Sequence, residues 1–150
     1  MTSKATVNDF LASKNLALIG MSRDPKKFGN YIYKTLESKG YNVFPIHRET
    51  DSIEGEKCYP SFADLPVKVD GAVFCIKPED TDKMLKEAES AGINKFWFQQ
   101  GSTSPKTLLY CKEKGLNFVN GECIVMFTEG DKMPHVIHKW VWKIIGKMPK

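Results

Sequence analysis

Leu16-Ala17-Leu18-Ile19-Gly20-Met21-Ser22-Arg23-Asp24-Pro25-Lys26-Lys27-Phe28-Gly29 joins a short apolar run to a glycine turn rich in cations. The apolar run reads as a buried strand, and Phe28, Ile32 and Leu36 fall at helical spacing after it, so the segment is a strand-to-helix junction. At Gly20 the backbone turns sharply and admits close approach of a ligand. The helix that follows presents unused N–H groups and the positive end of its dipole. Ser22, Arg23, Lys26 and Lys27 add a hydroxyl donor and positive charge, which together predict a phosphate-bearing ligand of nucleotide type.

Outward from this junction, one pattern recurs: Lys39-Gly40-Tyr41-Asn42, Ala91-Gly92-Ile93-Asn94 and Lys114-Gly115-Leu116-Asn117. Each glycine follows a helical pattern and precedes an apolar stretch, so each marks a helix-to-strand turn. The elements expected are a helix at 6–13, a strand at 16–20, a helix from 25 or 28 to 39 and a strand at 42–46. A long connection, 47–70, carries a short edge strand at Lys57-Cys58-Tyr59 and a helical turn at 62–65. Beyond it come a strand at 71–76, a helix from Pro78 to Ala91, a strand at 95–98, a helix at 104–114 and a strand at 117–119. This alternation predicts an α/β, Rossmann-like, doubly wound parallel sheet flanked by helices. Its ligand would sit at the carboxyl ends of the strands where chain order reverses, between the strands at 16–20 and 71–76. The loops at Gly20–Lys27, Pro45–Arg48, Ile76–Pro78 and Gln99–Gly101 meet there.

At 150 residues the chain fits one domain that hides roughly 70% of its unfolded surface. With 41% hydrophobic and 27% charged residues it has the balance of a soluble globular protein, and no apolar stretch approaches the roughly 20 residues that span a bilayer. The first ten residues lack a secretory pattern, so a cytoplasmic location is expected. Cys58, Cys75, Cys111 and Cys123 are too scattered for a tetrahedral zinc site and read as free thiols. The net charge of +4 suits an anionic small ligand, but the lysines are dispersed and lack the interleaved aromatic and basic runs of a nucleic-acid surface.

The first loop departs from Gly-x-Gly-x-x-Gly, with serine at 22 and proline at 25, which disfavours a standard NAD site. After the second strand stand His47 and Arg48 where a ribose-binding carboxylate would be expected. Cations there favour a phosphorylated ribose, which leaves coenzyme A, with its 3′-phosphate, and NADP, with its 2′-phosphate.

Gly20-x-Ser22-x-x-Pro25 with Lys27, Gly40-Tyr41-x-Val43-x-Pro45, Gly55-Glu56-Lys57-Cys58-Tyr59-Pro60-Ser61, Trp97-Phe98-Gln99-x-Gly101 and Cys123-Ile124 form a set. Through it the chain resembles the small stand-alone CoA-binding family, related to the CoA-binding domain of succinyl-CoA synthetase, over roughly residues 10–126. The resemblance implies that Gly20, Ser22 and Lys27 hold the CoA phosphates and that Pro45 and Ile76–Pro78 flank the nucleotide. Family members commonly read Pro-Val-Asn-Pro after the second strand where this chain has Pro45-Ile46-His47-Arg48, so the adenosine end would be held differently.

The candidate ligand-binding set is Gly20, Met21, Ser22, Arg23, Lys27, Pro45, His47, Ile76, Lys77, Pro78, Gln99 and Gly101. Bland readings stand beside it: a structural turn at Gly20 and Ser22, solvated charges at Arg23, Lys26 and Lys27, and core aromatics at Phe96 to Phe98. Cys75 and Cys123 read as buried thiols, with exchange against the CoA thiol as the alternative. A C-terminal helix at 133–147 carries an apolar stripe, Met133, Ile137, Trp140, Val141, Ile144 and Ile145, suited to packing on the domain or a second subunit. His135 and His138 on it lack a third metal ligand.

No nucleophile elbow, no serine with a paired His and Asp, and no histidine of the kind phosphorylated in succinyl-CoA synthetase accompanies the loop. The expected protein is a single domain over 1–150 that binds CoA or an acyl-CoA as a carrier, sensor or subunit, without catalytic or metal-ligating residues. A homodimer or a partner subunit is compatible with it. The alternative is an enzyme, NADP-dependent or acyl-CoA-transforming, whose other half is a separate chain.

Overall fold

The computed structural model describes residues 3–129, so the C-terminal helix expected at 133–147, with His135 and His138, lies outside the described residues. Its sheet contains β1 (Asn15–Ile19), β2 (Asn42–Ile46), β5 (Gly71–Phe74), β6 (Lys95–Phe98) and β7 (Asn117–Asn120) in the order β2-β1-β5-β6-β7. Every pairing is parallel, with Leu18 opposite Pro45 on one side of β1 and Val73 on the other. The chain winds outward from β1 to β2, returns to place β5 on the other flank of β1, and proceeds to β7. The reversal expected between the first strand and that at 71 is therefore present.

Period-two alternation decides which helix covers which face. Leu16, Leu18, Val73, Trp97 and Val119 point to one side, where α1 (Lys4–Leu11), α2 (Phe28–Ser38) and α5 (Ile124–Glu129) supply Val7, Phe10, Ile32, Leu36, Ile124 and Val125. Ala17, Ile19, Ala72, Phe74, Phe96 and Phe98 point to the other, against Met84, Leu85 and Ala88 of α3 (Pro78–Ser90) and Cys111 of α4 (Pro105–Glu113). A fully buried leucine or phenylalanine contributes about 1.5–3 kcal/mol, so these two layers hold the strand ends in place.

The three repeated glycine junctions end α2, α3 and α4 in the same way. Gly40, Gly92 and Gly115 have φ of 94°, 92° and 65°, and the residue after each donates its N–H to the carbonyl five positions back. At their starts, α3 and α4 carry Pro78 and Pro105, and α4 has a capping box between Ser104 and Thr107.

Four elements differ from expectation by more than a residue. The N-terminal helix starts at Lys4 because Ser3 caps it, accepting the Thr6 N–H at 3.2 Å, and it ends at Leu11. Strand β5 stops at Phe74: Cys75 still donates to the Ile19 carbonyl at 2.8 Å, but β1 turns away at Gly20 and leaves Ile76 no partner strand. The edge strand at 57–59 is replaced by a hairpin, β3 (Ser52–Ile53) with β4 (Glu56–Lys57), whose tip residues Glu54 and Gly55 both have positive φ. Tyr59 alone reaches the sheet, bridging Ile46 through hydrogen bonds to the Pro45 carbonyl and from the His47 N–H, both 2.9 Å. Finally, α5 follows β7 directly where no helix was expected before residue 133.

Candidate functional site

The loop from Gly20 to Lys27 leaves β1 and is shaped first by two glycines. Gly20 has φ of 141°, and a Cβ there would lie 2.5 Å from the Cys75 carbonyl oxygen. A Cβ on Gly29 would overlap the Gly20 carbonyl, so α2 begins pressed against the end of β1. Gly29 thus performs the close helix-to-strand packing of the third glycine in the dinucleotide fingerprint, displaced by a longer loop. Ser22 and Pro25 remain departures from the fingerprint as read, and Gly29 supplies the packing contact from four residues beyond Pro25.

Beyond the glycines, side chains fix the loop. Buried Asn30 accepts the Ser22 N–H at 2.8 Å through Oδ1 and donates to the Ser22 carbonyl at 2.8 Å through Nδ2. The Ser22 hydroxyl accepts the Asp24 N–H at 3.0 Å, and the Asp24 carboxylate accepts the Lys26 N–H at 3.0 Å. Lys27 is the N-cap of α2 and supplies no side-chain cap, so the first turn is left to other hydrogen-bond partners. Among the described residues neither Lys26 nor Lys27 enters an ion pair, whereas Arg23 pairs with Glu49 at 3.4 Å, both well exposed.

Beside this loop lies a cleft of about 410 Å³ at the carboxyl ends of β1, β2 and β5. Gly20, Met21, His47 and Ile76 of the candidate set line it, with Ile19, Ile46 and Met84 as apolar surface and Arg48, Asp80, Lys83 and Glu87 as charges. His47 Nδ1 accepts the N–H groups of Glu49 at 3.1 Å and Thr50 at 3.3 Å, which places the ring hydrogen of the neutral imidazole on Nε2. Arg48 donates to the Glu87 carboxylate and lies 3.4 Å from the Met84 sulfur.

The other candidates lie elsewhere. Ser22, Arg23 and Lys27 sit on the adjoining loop, and Lys77 and Pro78 form the N-terminus of α3 with Lys77 exposed. Pro45 is buried inside β2, its carbonyl bonded to Tyr59, which turns its ring nitrogen to the outer edge where no ladder bond is lost. Gln99 is buried: its Oε1 accepts the Ile124 N–H at 2.8 Å and its Nε2 lies 3.5 Å from the Cys123 sulfur, so its amide secures the start of α5. Gly101 is exposed with φ of 84°.

Burial, with a smaller contribution from Cys123, pushes the Cys75 thiol up to about 12, and Cys111 rises to about 11 for the same first reason. Of the pair read as buried thiols, Cys123 is buried and Cys75 is half-buried with its thiol raised, so neither Cys75 nor Cys111 is a thiolate near neutrality. Sequence reasoning missed Asn30, Gly29 and Glu54; an asparagine one turn into an otherwise apolar helix face was the available signal for the first.

A family model described as "CoA binding domain" matches residues 14–129. A conserved hypothetical protein from Pyrococcus furiosus has a similar solved structure, with TM-score 0.72 and 41% identity over 77% of this chain and 99% of that one. The uncharacterized protein YneT of Bacillus subtilis is 25% identical over 91% of this chain and 97% of its own length. The alpha subunit of the ADP-forming acetate–CoA ligase II of Pyrococcus furiosus is 28% identical over 91% of this chain, which spans 27% of that subunit.

Proposed function

The chain belongs to the family of CoA binding domains, and on that premise we propose that it binds CoA or an acyl-CoA through the Gly20–Lys27 loop. In this reading the diphosphate rests against the backbone of Gly20 and Met21 and the hydroxyl of Ser22 at the N-terminus of α2, with Lys27 and Arg23 as counter-charges. The adenosine end occupies the cleft beside His47 and Ile76, near the Lys77–Pro78 turn. Pro45, Gln99 and Gly101 act through the framework of that edge. The supporting observation is the pairing of a glycine-tight loop, fixed by Asn30 and lacking a side-chain cap on α2, with an adjacent cleft of about 410 Å³.

The protein acts as a carrier, sensor or subunit and performs no chemistry at this edge; the unit is one domain over 1–150, placed in the cytoplasm. No described helix is long and apolar enough to cross a membrane. A subunit role draws support from the ligase alpha subunit, of which this chain matches only a part, and points to a second chain as partner. Calorimetric titration with CoA, dephospho-CoA, NADP and ATP tests the reading. A preference for CoA over dephospho-CoA assigns a contact to the 3′-phosphate; tight NADP binding without a CoA response overturns the proposal in favour of the NADP-dependent enzyme.

A further inference from the structure

Glu54 is the one non-glycine residue with positive φ among the described residues, at 50° in the first position of the hairpin tip. That position favours asparagine, aspartate or glycine, and a glutamate there carries backbone strain that surrounding contacts must offset. Its side chain turns toward α2: Oε2 accepts from Asn30 Nδ2 at 3.1 Å and Oε1 pairs with Lys34 at 3.4 Å. Asn30 Nδ2 therefore donates to both the Ser22 carbonyl and Glu54, while Oδ1 holds the Ser22 N–H. A second strut runs parallel, from Tyr33 Oη to Glu56 at 2.9 Å, so the hairpin is fixed to α2 at two successive turns.

We propose that Glu54 and Asn30 form a latch by which the hairpin sets the backbone of the phosphate loop, making both positioning residues for ligand binding. The inference rests on the CoA reading above and adds the device that prepares the site. Ser22 itself orients the Asn30 amide, since its N–H needs the amide oxygen and its carbonyl needs the NH2 group; Glu54 takes the second NH2 hydrogen and braces the side chain from the outer side. The Ser22 N–H is thereby committed to Asn30, and the remaining backbone of Gly20 and Met21 is held for the anion.

Strain gives a way to separate latch from scaffold. Glu54→Asn relieves the backbone but cannot span to Asn30, so its melting temperature should equal or exceed that of the parent protein while CoA affinity falls roughly 3- to 10-fold. Glu54→Gln keeps an acceptor oxygen and should restore affinity to within about twofold. Hydrogen exchange at the Ser22 amide reads the latch without any ligand: protection falls in Glu54→Asn and in Asn30→Ala and returns in Glu54→Gln. Unchanged Ser22 protection in Glu54→Asn overturns the latch, with Asn30→Ala as the control that removes the direct partner. If the parent protein fails to bind CoA, the ligand reading falls and Ser22 exchange alone decides whether the latch exists. If Glu54→Asn exposes Ser22 but leaves CoA affinity intact, the latch has no role in binding and the proposal is wrong.

Discussion

Replacing Gly29 by alanine tests the geometry on which the site depends, because two effects of opposite sign meet there. Within an exposed helix, alanine exceeds glycine by about 1 kcal/mol, and less at Gly29, the second residue of α2, where the helix ladder is incomplete. Against this, the new methyl falls on the Gly20 carbonyl oxygen and approaches the Met21 nitrogen to 3.1 Å. These are backbone atoms and cannot swing aside as a flexible side chain would, so α2 and the end of β1 must separate by roughly 1 Å. Overpacking of this kind costs about 1–3 kcal/mol, which outweighs the propensity gain and leaves a net loss of about 1–2 kcal/mol. For a chain of this length that lowers Tm by roughly 2–8 °C. Because the displaced atoms belong to the loop proposed to hold the CoA phosphates, CoA affinity should fall with stability. Urea unfolding and titration of the same variant read both; a variant more stable than its parent, with CoA binding intact, refutes the account of Gly29.

Lys27→Ala removes a cation at the start of α2 that forms no ion pair among the described residues and should weaken CoA binding by about 1–3 kcal/mol, read by calorimetry; unchanged affinity removes Lys27 from the proposed site. At the opposite edge of the sheet, the Asn15 N–H and then the Lys14 N–H hold the Asp70 carboxyl below the usual carboxylate range. A lowered folded-state value stabilises above the unfolded value of about 3.9 and is lost as pH falls through the folded one. Acid unfolding of Asp70→Asn should therefore be flatter below about pH 4 than that of the parent; identical profiles contradict this. Cys75 is half-buried with its thiol pushed up to about 12, so it should react slowly with a disulfide reagent at pH 8 in the folded protein and quickly on unfolding; rapid labelling of the native thiol contradicts the raised value.

The parallel sheet was legible because each strand is a compact apolar run and each helix ends on a glycine with a fixed structural meaning, as at Gly40, Gly92 and Gly115. The hairpin at 52–57 was not, since two-residue strands bury a single side chain, Ile53, and leave no periodicity to read. Glu54 hid its turn role because glutamate is a poor residue for positive φ. In the candidate site, Gly20 and Ser22 were singled out by type and order, and the structure places both on the loop leaving β1. Asn30 and Gln99 did not: both are buried amides whose tasks, holding Ser22 and Ile124, depend on contacts distant in sequence. The cleft charges Lys83 and Glu87 likewise reach the site only through the crossover that lays α3 across the end of β2.

A crystal structure of the protein with CoA bound tests the central claim most directly. The account predicts the diphosphate against the Gly20 and Met21 backbone and the Ser22 hydroxyl at the N-terminus of α2, with the adenosine in the cleft beside His47 and Ile76. CoA bound at any other edge of the sheet, with that loop empty, contradicts it.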